Sequence, residues 1–339
     1  MNKEKQVAIL GAGSWGTALA IVLADNEVNV RLWSREKEQV DEMNTTRKNA
    51  FYLPDVDLPE LVTAYHDMEE AVQGLDTVVG AIPTSGIREV MQQLKTYLEK
   101  PVTIVHVSKG IEPGTLKRIS EMIEEELPKS LIDDLVVLSG PSHAEEVSLR
   151  HPTTVVAASK NIRAAERVQD LFMNINFRVY TNPDVVGVEI GGALKNIIAL
   201  AAGISDGIGY GDNAKAAIMT RGMAEITRLA VKMGANPLTL AGLSGVGDLI
   251  VTCTSRHSRN WRAGYALGKG NKLENILQNM GQTVEGVNTT RAAYQLAKKY
   301  DVSMPIAETL YQVLFEDLQV EKAVPKLMGR SKTFEIYTE

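Results

Sequence analysis

Two lysines in this chain are candidates for a chemical role, and the first is Lys195, whose setting suits proton transfer. It falls within an otherwise apolar stretch, residues 185–203, in which apolar side chains recur three or four positions apart. Burial disfavours the charged form of an ammonium and lowers its pKa, which suits the group for acid-base chemistry near neutral pH. The same pattern also fits a lysine at the edge of an apolar face whose ammonium reaches water. The residues alone leave both interpretations open.

A glycine-rich motif follows the first strand-like run of the chain, Val7–Leu10. Residues 11–16 read Gly-Ala-Gly-Ser-Trp-Gly and match G-x-G-x-x-G between that strand and a helical stretch. Gly11 permits the tight turn, Gly13 lets a pyrophosphate approach the backbone, and Gly16 lets helix and strand pack closely. The helix N-terminus would face the phosphates. This context favours a dinucleotide-binding site over a glycine-rich turn that binds nothing.

The end of the second predicted strand, Val28–Trp33, indicates which dinucleotide is preferred. A carboxylate at this place binds the ribose 2′-hydroxyl of NAD, whereas an arginine accommodates the 2′-phosphate of NADP. Ser34 and Arg35 come first here, and Glu36 is interpreted as a helix-start carboxylate. NADP(H) is therefore favoured, although Arg35 is also compatible with a solvated surface charge.

The second lysine, Lys109, follows a strand-like run, as Pro83 does. The two runs are Thr103–Val107 and Thr77–Ile82. Because ligands bind outside the carboxyl ends of strands in open α/β sheets, Pro83 and Lys109 are expected to border the nicotinamide end of the cleft. A solvated loop lysine is the alternative for Lys109.

A loop rich in hydroxyl and basic side chains ends at Ser258, Arg259 and Asn260, where a helical stretch begins. Ser258 is predicted to cap that helix. Arg259 and Asn260 in its first turn would offer a guanidinium and free backbone N–H groups to a phosphate. The alternative is a polar loop with a helix cap and no ligand.

The elements that must position these residues differ between the two halves of the chain. Short β-branched runs alternate with helical stretches in the first half, which is typical of βαβ units. From about Val185 the pattern changes to long helical stretches, and Asn182-Pro183-Asp184 is a turn and helix-start signal. We therefore expect an α/β fold with an N-terminal Rossmann-like, mostly parallel sheet domain at 1–184 and an all-α domain at 185–339.

Composition excludes several classes of protein. The chain has 339 residues, 44% hydrophobic and 23% charged, which is typical of an ordinary globular protein of about two domains. A formal net charge of −6 argues against a polyanion binder, so no nucleic-acid partner is expected. No run of about 18 apolar residues and no secretory signal is recognised, so neither membrane insertion nor export is expected.

Cysteine and metal chemistry are not expected. The single cysteine, Cys253, cannot form an intrachain disulfide, which suits a reducing compartment and favours the cytoplasm. Cys253 and His257 lack a matching constellation of partners and are interpreted as packing and loop residues. No metal-ligand spacing is recognised in the sequence.

Taken in combination, six motifs resemble the NAD(P)-dependent glycerol-3-phosphate dehydrogenases of the bacterial type over nearly the whole chain. The motifs are Gly-Ala-Gly-Ser-Trp-Gly at 11–16, Ser108-Lys109-Gly110-Ile111, Ser139-Gly140-Pro141-Ser142-His143-Ala144, Lys195-Asn196, Gly247-Asp248-Leu249 and Ser258-Arg259-Asn260. Val284-Glu285-Gly286 also resembles the late cofactor-contacting motif of the family. The fingerprint alone is common, whereas the Ser-Gly-Pro-Ser block and the Lys-Asn pair in this order are specific.

The resemblance implies reversible reduction of dihydroxyacetone phosphate to sn-glycerol 3-phosphate by NADPH or NADH, which supplies glycerol 3-phosphate for glycerophospholipid synthesis. It implies that Lys195 is the acid/base group, that Lys109 polarises the carbonyl, and that Asp248 compensates their charge. This fits the residues, because an ammonium near the ketone oxygen stabilises the growing negative charge and then donates its proton.

The resemblance, together with the motifs above, also defines two sets of binding residues and no metal ligand. The predicted substrate-binding residues are Lys109, Gly140, Ser142, Lys195, Asp248, Ser258, Arg259 and Asn260. The predicted cofactor-binding residues are Gly11, Gly13, Ser14, Trp15, Gly16, Ser34, Arg35, Pro83, Lys109, Ala144, Arg259, Thr283 and Glu285.

Two other functions are compatible with a Rossmann domain followed by helices. One is a dehydrogenase of a 3-hydroxyacid or hydroxyacyl thioester, which would need a carboxylate or thioester pocket in place of the phosphate site. The other is a dinucleotide-binding redox sensor without turnover, which would not need a proton donor such as Lys195. The apolar helices of the second half fit either a homodimer face or a core, and periodicity does not choose between them.

Overall fold

A computed structural model describes residues 5–280 and 283–335. Its strands are β1 Gln6–Leu10, β2 Asn29–Trp33, β3 Lys48–Asn49, β4 Leu53–Asp57, β5 Val62–Tyr65, β6 Thr77–Gly80, β7 Val102–His106, β8 Ile132–Ser139, β9 Thr153–Ala158 and β10 Phe177–Asn182. The helices of the first half are α1 Ser14–Asp25, α2 Lys37–Thr46, α3 Met68–Val72, α4 Ile87–Tyr97, α5 Ile119–Glu126, α6 Ala144–Ser148 and α7 Ile162–Phe172. Those of the second half are α8 Val185–Ile208, α9 Asp212–Lys232, α10 Pro237–Leu240, α11 Asp248–Thr254, α12 Arg259–Gly268, α13 Leu273–Met280, α14 Glu285–Lys299, α15 Pro305–Phe315 and α16 Val320–Met328.

In the described part of the chain, eight strands form one sheet in the order β10-β9-β8-β7-β6-β1-β2-β5, and β3 and β4 form a separate antiparallel pair. Strands β5, β2, β1, β6, β7 and β8 are parallel, and β9 pairs with β8 in the antiparallel sense. The expected mostly parallel sheet is confirmed. Strand β1 lies between β2 and β6. The chain passes from β1 to β2 on one side of β1 and later returns to β6 on the other side, so the carboxyl end of β1 lies at the topological switch point.

The second half is helical throughout its described residues, as the sequence predicts, and α8 is its central helix. Asp184 caps α8 by accepting a hydrogen bond of 2.8 Å from the Gly187 N–H. Most side chains of α8 are buried on all sides, which explains its continuous apolar sequence. Helix α12 packs closely against α8 at Gly203, because this residue has no side chain. A Cβ there would lie 2.1 Å from the Trp261 carbonyl oxygen.

Two stretches, Val185–Ile208 and Pro237–Thr254, are long and apolar enough to cross a membrane by length and composition. In the first, 89% of the most apolar 18-residue window is buried inside the protein, so it is a core helix. The second comprises α10, a π-helical turn at Leu243–Gly247 and α11. The apolar length of Val185–Ile208 therefore reflects packing in the core.

A buried ionic cluster attaches α8 to the sheet, and Glu189 is its centre. The Glu189 carboxylate accepts hydrogen bonds from the Ser120 N–H at 2.8 Å, the Ser120 hydroxyl at 2.7 Å and the Arg118 guanidinium. His106 Nε2, at the end of β7, lies 3.2 Å from Glu189 Oε1. Burial alone would raise the pKa of Glu189, but His106, Arg118 and Ser120 outweigh it and hold the pKa at about 2. The carboxylate thus joins β7, α5 and α8.

We predict that Glu189→Ala lowers the free energy of unfolding by about 3–5 kcal/mol, because it leaves the partly buried Arg118, whose side chain is 14% exposed, without its main counter-charge. Glu121→Ala is the matched control, since Glu121 pairs with the same guanidinium at 3.0 Å from an exposed position and also accepts a bond from the Arg118 N–H. It should cost about 1 kcal/mol. Urea unfolding of both variants measures the difference, and equal losses would contradict the prediction.

Candidate active site

The residues that the sequence singles out converge beyond the carboxyl ends of the parallel strands, where the sheet meets α8. Lys109 follows β7, Gly140 follows β8, and Lys195 projects from the middle of α8. Asp248 is the first residue of α11, directly after the π-helical turn. Four separate segments of the chain therefore place chemical groups in one small volume.

Asp248 is the group that holds this volume together. Its side chain is 1% exposed, and each of its oxygens accepts a hydrogen bond from a different lysine. Lys109 Nζ lies 2.8 Å from Oδ2, and Lys195 Nζ donates to Oδ1. Lys195 also donates to the Thr252 hydroxyl at 2.8 Å, and that hydroxyl donates to the Asp248 carbonyl at 2.6 Å. The result is one carboxylate between two ammonium groups.

Lys195 is buried, which excludes a lysine whose ammonium reaches bulk water. Burial is the largest cause that lowers its pKa, to about 7; Asp248 opposes the shift and Lys109 adds to it. Lys109 is less buried, with 17% of its side chain exposed. The two lysines therefore differ in environment, and Lys195 is the one whose proton is poised near neutral pH.

The strand β8 ends in a loop that contacts Lys109. The Gly140 carbonyl accepts hydrogen bonds of 3.0 Å from Lys109 Nζ and from the Ser142 hydroxyl. Gly140 has a φ of +148°, and a Cβ there would lie 2.9 Å from the Val155 Cα, so a side chain is excluded. Gly192 of α8 faces this loop, and a Cβ on it would lie 2.9 Å from Ser139 Oγ and 3.6 Å from Lys109 Cγ. Small residues thus let α8 approach the Lys109 side chain.

The glycine motif has the geometry that its sequence predicts. Gly11 has a φ of +111°, and a Cβ there would lie 2.4 Å from the Ala81 carbonyl oxygen. A Cβ at Gly16 would lie 1.9 Å from the Gly11 oxygen, which explains the third glycine. Gly13 precedes α1 as its N-cap, and among the described residues no side chain caps this end. The exposed N–H groups suit a phosphate.

Polar side chains outside the motif hold its backbone, and the sequence analysis missed them. The Ala12 carbonyl accepts hydrogen bonds from Asn49 at 2.9 Å and from Gln39 at 2.7 Å. Gln39 in turn accepts a bond of 2.6 Å from the Ser34 hydroxyl. Gln39 and Asn49 lie 27 and 37 residues after Ala12 in the sequence, so no local pattern indicates their role.

Around the motif, Ser14 donates to the Tyr52 carbonyl at 3.2 Å. Trp15 is partly buried against the core of the first half, and Ala144 begins α6, which packs on α1. Pro83 is exposed beside the end of β6. Ser14 and Trp15 thus belong to the motif, and Ala144 begins a helix that packs on the helix that follows this motif.

Arg35 and Ser34 lie at the carboxyl end of β2, on the same edge as the glycine turn. Ser34 is buried, whereas 79% of the Arg35 side chain is exposed beside Glu36, at 3.2 Å. Glu36 is the N-cap residue of α2, as the sequence indicates. Ser34 therefore belongs to the polar network under the glycine turn, and Arg35 is free to reach a ligand at the surface.

Helix α12 begins in the same cleft. Ser258 is its N-cap, and its hydroxyl accepts a hydrogen bond of 3.2 Å from the Trp261 N–H, as predicted. Asn260 is buried, donates to Asn196 Oδ1 at 3.0 Å, and accepts from the Gly286 N–H at 2.9 Å. The Asn260 amide thus connects α12 to α8 and α14.

Arg259 is exposed to the cleft. Within residues 5–280 and 283–335 its guanidinium makes no ion pair. The surrounding protein lowers the pKa of Arg259 by desolvation, and Glu285 and Glu145 oppose that shift. Its charge is available to an anion.

Glu285, the first residue of α14, reaches back to the sheet. Its Oε1 accepts a hydrogen bond of 3.1 Å from the Thr84 N–H, just beyond β6. Burial raises the pKa of Glu285, and Thr84 and Arg259 oppose the shift. Thr283 is exposed two residues before it. This contact ties the start of α14 to the loop that carries Pro83.

Neither a reactive thiol nor a metal-binding group is found among the described residues around this cluster. Cys253 is buried, and burial raises the pKa of its thiol to about 12, so it carries no thiolate near neutral pH. Among the described residues, no group of three or more His, Cys, Asp or Glu side chains is arranged to hold a metal ion.

Comparisons with known proteins agree along the whole chain. Sequence profiles of the N-terminal and C-terminal parts of NAD-dependent glycerol-3-phosphate dehydrogenase match residues 6–165 and 184–325. Proteins of Bacillus velezensis and Bacillus subtilis, both named glycerol-3-phosphate dehydrogenase (NAD(P)+), are each 64% identical over 98% of this chain and 96% of their own length.

Solved structures give the same result. The crystal structure of glycerol-3-phosphate dehydrogenase from Coxiella burnetii is similar with a TM-score of 0.92 and 40% identity, over 96% of this chain and 99% of that one. A D-mandelate dehydrogenase with NADH, at 13% identity and a TM-score of 0.61, shares the fold alone. From its sequence and its structure, this chain belongs to the NAD-dependent glycerol-3-phosphate dehydrogenase family.

Proposed function

We propose that this enzyme reduces dihydroxyacetone phosphate to sn-glycerol 3-phosphate with NADPH or NADH, reversibly, and so supplies glycerol 3-phosphate for glycerophospholipid synthesis. The observation that carries the proposal is the buried Asp248 carboxylate between Lys109 and Lys195, in the cleft where the glycine turn lies and α12 begins. A ketone placed there meets a proton donor, and an anion meets Arg259 and a helix N-terminus. The relatives named above carry this activity in their names.

In this proposal Lys195 is the acid/base group. NAD(P)H, when bound, supplies the hydride that the ketone carbon receives. As negative charge grows on the carbonyl oxygen, the Lys195 ammonium stabilises it and then donates its proton. Lys109 polarises the same oxygen. Asp248 orients both ammonium groups and limits the charge that the cleft must hold.

The glycine turn and its surroundings would bind the cofactor. Gly11, Gly13 and Gly16 shape the turn, and the uncapped N-terminus of α1 offers N–H groups to the pyrophosphate. Arg35 at the exposed edge would contact a 2′-phosphate, which favours NADPH. The other proposed cofactor contacts are Ser14, Trp15, Ser34, Pro83, Lys109, Ala144, Arg259, Thr283 and Glu285.

The substrate would lie between the Gly140 loop and the start of α12. Arg259 and the first N–H groups of α12 would bind the phosphate. Ser142, Ser258 and Asn260 complete the proposed contacts, together with the two lysines and Asp248. The Asn260 amide already bridges α8 and α14, so its part in phosphate binding rests on its remaining N–H and its backbone.

The proposal also covers the domain boundary, the oligomeric state and the cellular location of the protein. We place the domain boundary at residue 184, between the end of β10 and the start of α8. We also propose a homodimer without membrane insertion in the cytoplasm, and no nucleic-acid partner. Apolar side chains of α9 such as Met219 and Met223 are partly buried against the core of the helical domain, and in this proposal a second copy would cover what remains exposed of them.

Lys195→Ala should reduce kcat for dihydroxyacetone phosphate by about 10²–10⁴-fold, because the proton donor is lost. The dissociation constant for NADPH should stay within about threefold, since Lys195 lies among substrate rather than dinucleotide groups. Stopped-flow turnover and NADPH fluorescence titration measure the two quantities. Lys232→Ala, an exposed lysine of α9, is the control, and turnover near wild type in Lys195→Ala would refute the assignment.

The pH dependence should follow Lys195. Its ammonium is the reactive form in reduction, and its pKa is lowered to about 7, so kcat for reduction should be level below pH 6 and fall above pH 7. Oxidation of glycerol 3-phosphate needs the neutral amine and should rise over the same range. Profiles of kcat from pH 5.5 to 9 in both directions test this. A reduction rate that is level from pH 6 to 9 would exclude it.

Arg35→Asp should shift cofactor preference from NADPH toward NADH, because the guanidinium is replaced by a carboxylate that repels the 2′-phosphate and accepts from a ribose hydroxyl. We expect the ratio of kcat/KM for NADPH over NADH to fall at least about tenfold. Lys160→Asp makes the same change in net charge at the end of the oppositely directed β9, away from the cleft. If both variants keep the wild-type ratio, Arg35 does not bind the 2′-phosphate.

A further inference from the structure

Two histidines meet where the substrate-side loops of the two domains come together. The rings of His143 and His257 have centroids 5.8 Å apart and planes tilted by 50°. His143 directly follows Ser142 in the loop after β8, and His257 directly precedes Ser258 at the start of α12. The ring contact therefore joins the two loops at positions next to proposed substrate ligands.

The His143 ring is held by α11, and the backbone of His257 is held by its own turn. His143 Nε2 lies 3.3 Å from the Val251 carbonyl of α11, the helix that begins with Asp248. His257 belongs to a tight turn in which its N–H donates to Ser255 Oγ at 3.1 Å and the Ser258 N–H donates to the Ser255 carbonyl at 3.2 Å. Movement of either loop would separate the rings.

The environment of His143 favours packing over charge. Burial is the largest cause that lowers its pKa; the bond to Val251 opposes the shift and Lys195 adds to it. Glu145 and Glu146, on the helix that His143 caps, favour the charged form more weakly. A neutral imidazole at this distance packs as an aromatic ring.

We propose that the ring contact between His143 and His257 positions the two loops for substrate, and thereby sets the affinity for the phosphate-bearing ketone. The inference rests on the proposed function, because it assumes that Ser142 and Ser258–Asn260 bind the substrate from opposite sides. His143 and His257 are positioning residues, since they act through Ser142 and Arg259. Without the contact the two sides of the site separate and their geometry loosens.

The test uses the full-length enzyme with His257→Ala and His257→Phe. His257→Ala should raise KM for dihydroxyacetone phosphate about 3- to 10-fold, the range expected from loss of one aromatic pair. kcat and the NADPH dissociation constant should change less than about twofold. His257→Phe keeps a ring and should restore KM. His151→Ala, an exposed histidine beyond α6, is the control.

A double-mutant cycle then tests whether the effects of the two histidines on KM depend on the contact between their rings. If the two rings act on each other, His143→Ala/His257→Ala should raise KM no more than the larger of the single changes. Additive effects would overturn the inference, as would a His257→Ala enzyme with wild-type KM. A His257→Phe enzyme that behaves like His257→Ala would also overturn it, because the ring nitrogen and not the packing would then matter.

If the proposed function is wrong, the result differs from the one expected when only the ring-contact inference is wrong. If wild type oxidises no NADPH with dihydroxyacetone phosphate, the substrate assignment is wrong whatever His257 does. Hydrogen exchange of residues 140–143 and 255–258 then decides the ring contact, because His257→Ala should lose amide protection there and His257→Phe should keep it. Equal exchange in all three proteins would refute the contact itself.

Discussion

The site depends on one buried carboxylate that binds two ammonium groups and offsets part of their charge. Asp248 is almost fully enclosed, so its charge is stable only because Lys109 and Lys195 each donate to one of its oxygens. The dependence is mutual, since a buried lysine without a carboxylate would lose its proton at neutral pH. The Asp248 carboxylate therefore positions both ammonium groups. Asp248 itself is placed by the first turn of α11, directly after the π-helical turn.

The surrounding architecture can be understood as the means of bringing these three side chains together. Helix α8 carries Lys195, and the Glu189 cluster attaches the same helix to β7 and α5. Lys109 stands three residues beyond His106, the end of β7. One rigid helix thus carries both the acid/base candidate and the ionic attachment that fixes its distance from the sheet.

Sequence predicted the parts of this arrangement that are local. The glycine turn, the Ser258 cap and the Asp184 cap each depend on neighbours within a few residues, and short-range sterics and hydrogen bonds determine them. Thr252 was missed, although its spacing of four residues from Asp248 on a helix would have placed both on one face. The edge strands β5 and β10 were also missed, because each alternates buried and more exposed residues and so lacks the continuous apolar run of the buried strands.

The burial of Lys195 could not be decided from its own segment, because an apolar stripe fits both a core lysine and an edge lysine. What decides it is Asp248, 53 residues later, together with the packing of α12 against α8. With both lysines protonated, the two ammonium groups and one carboxylate leave a single positive charge. In the proposed reaction Lys195 would give up its proton as the oxyanion is neutralised, and the three side chains would then carry no net charge. These side chains would therefore hold at most one positive charge at any step, which limits the cost of keeping them away from water.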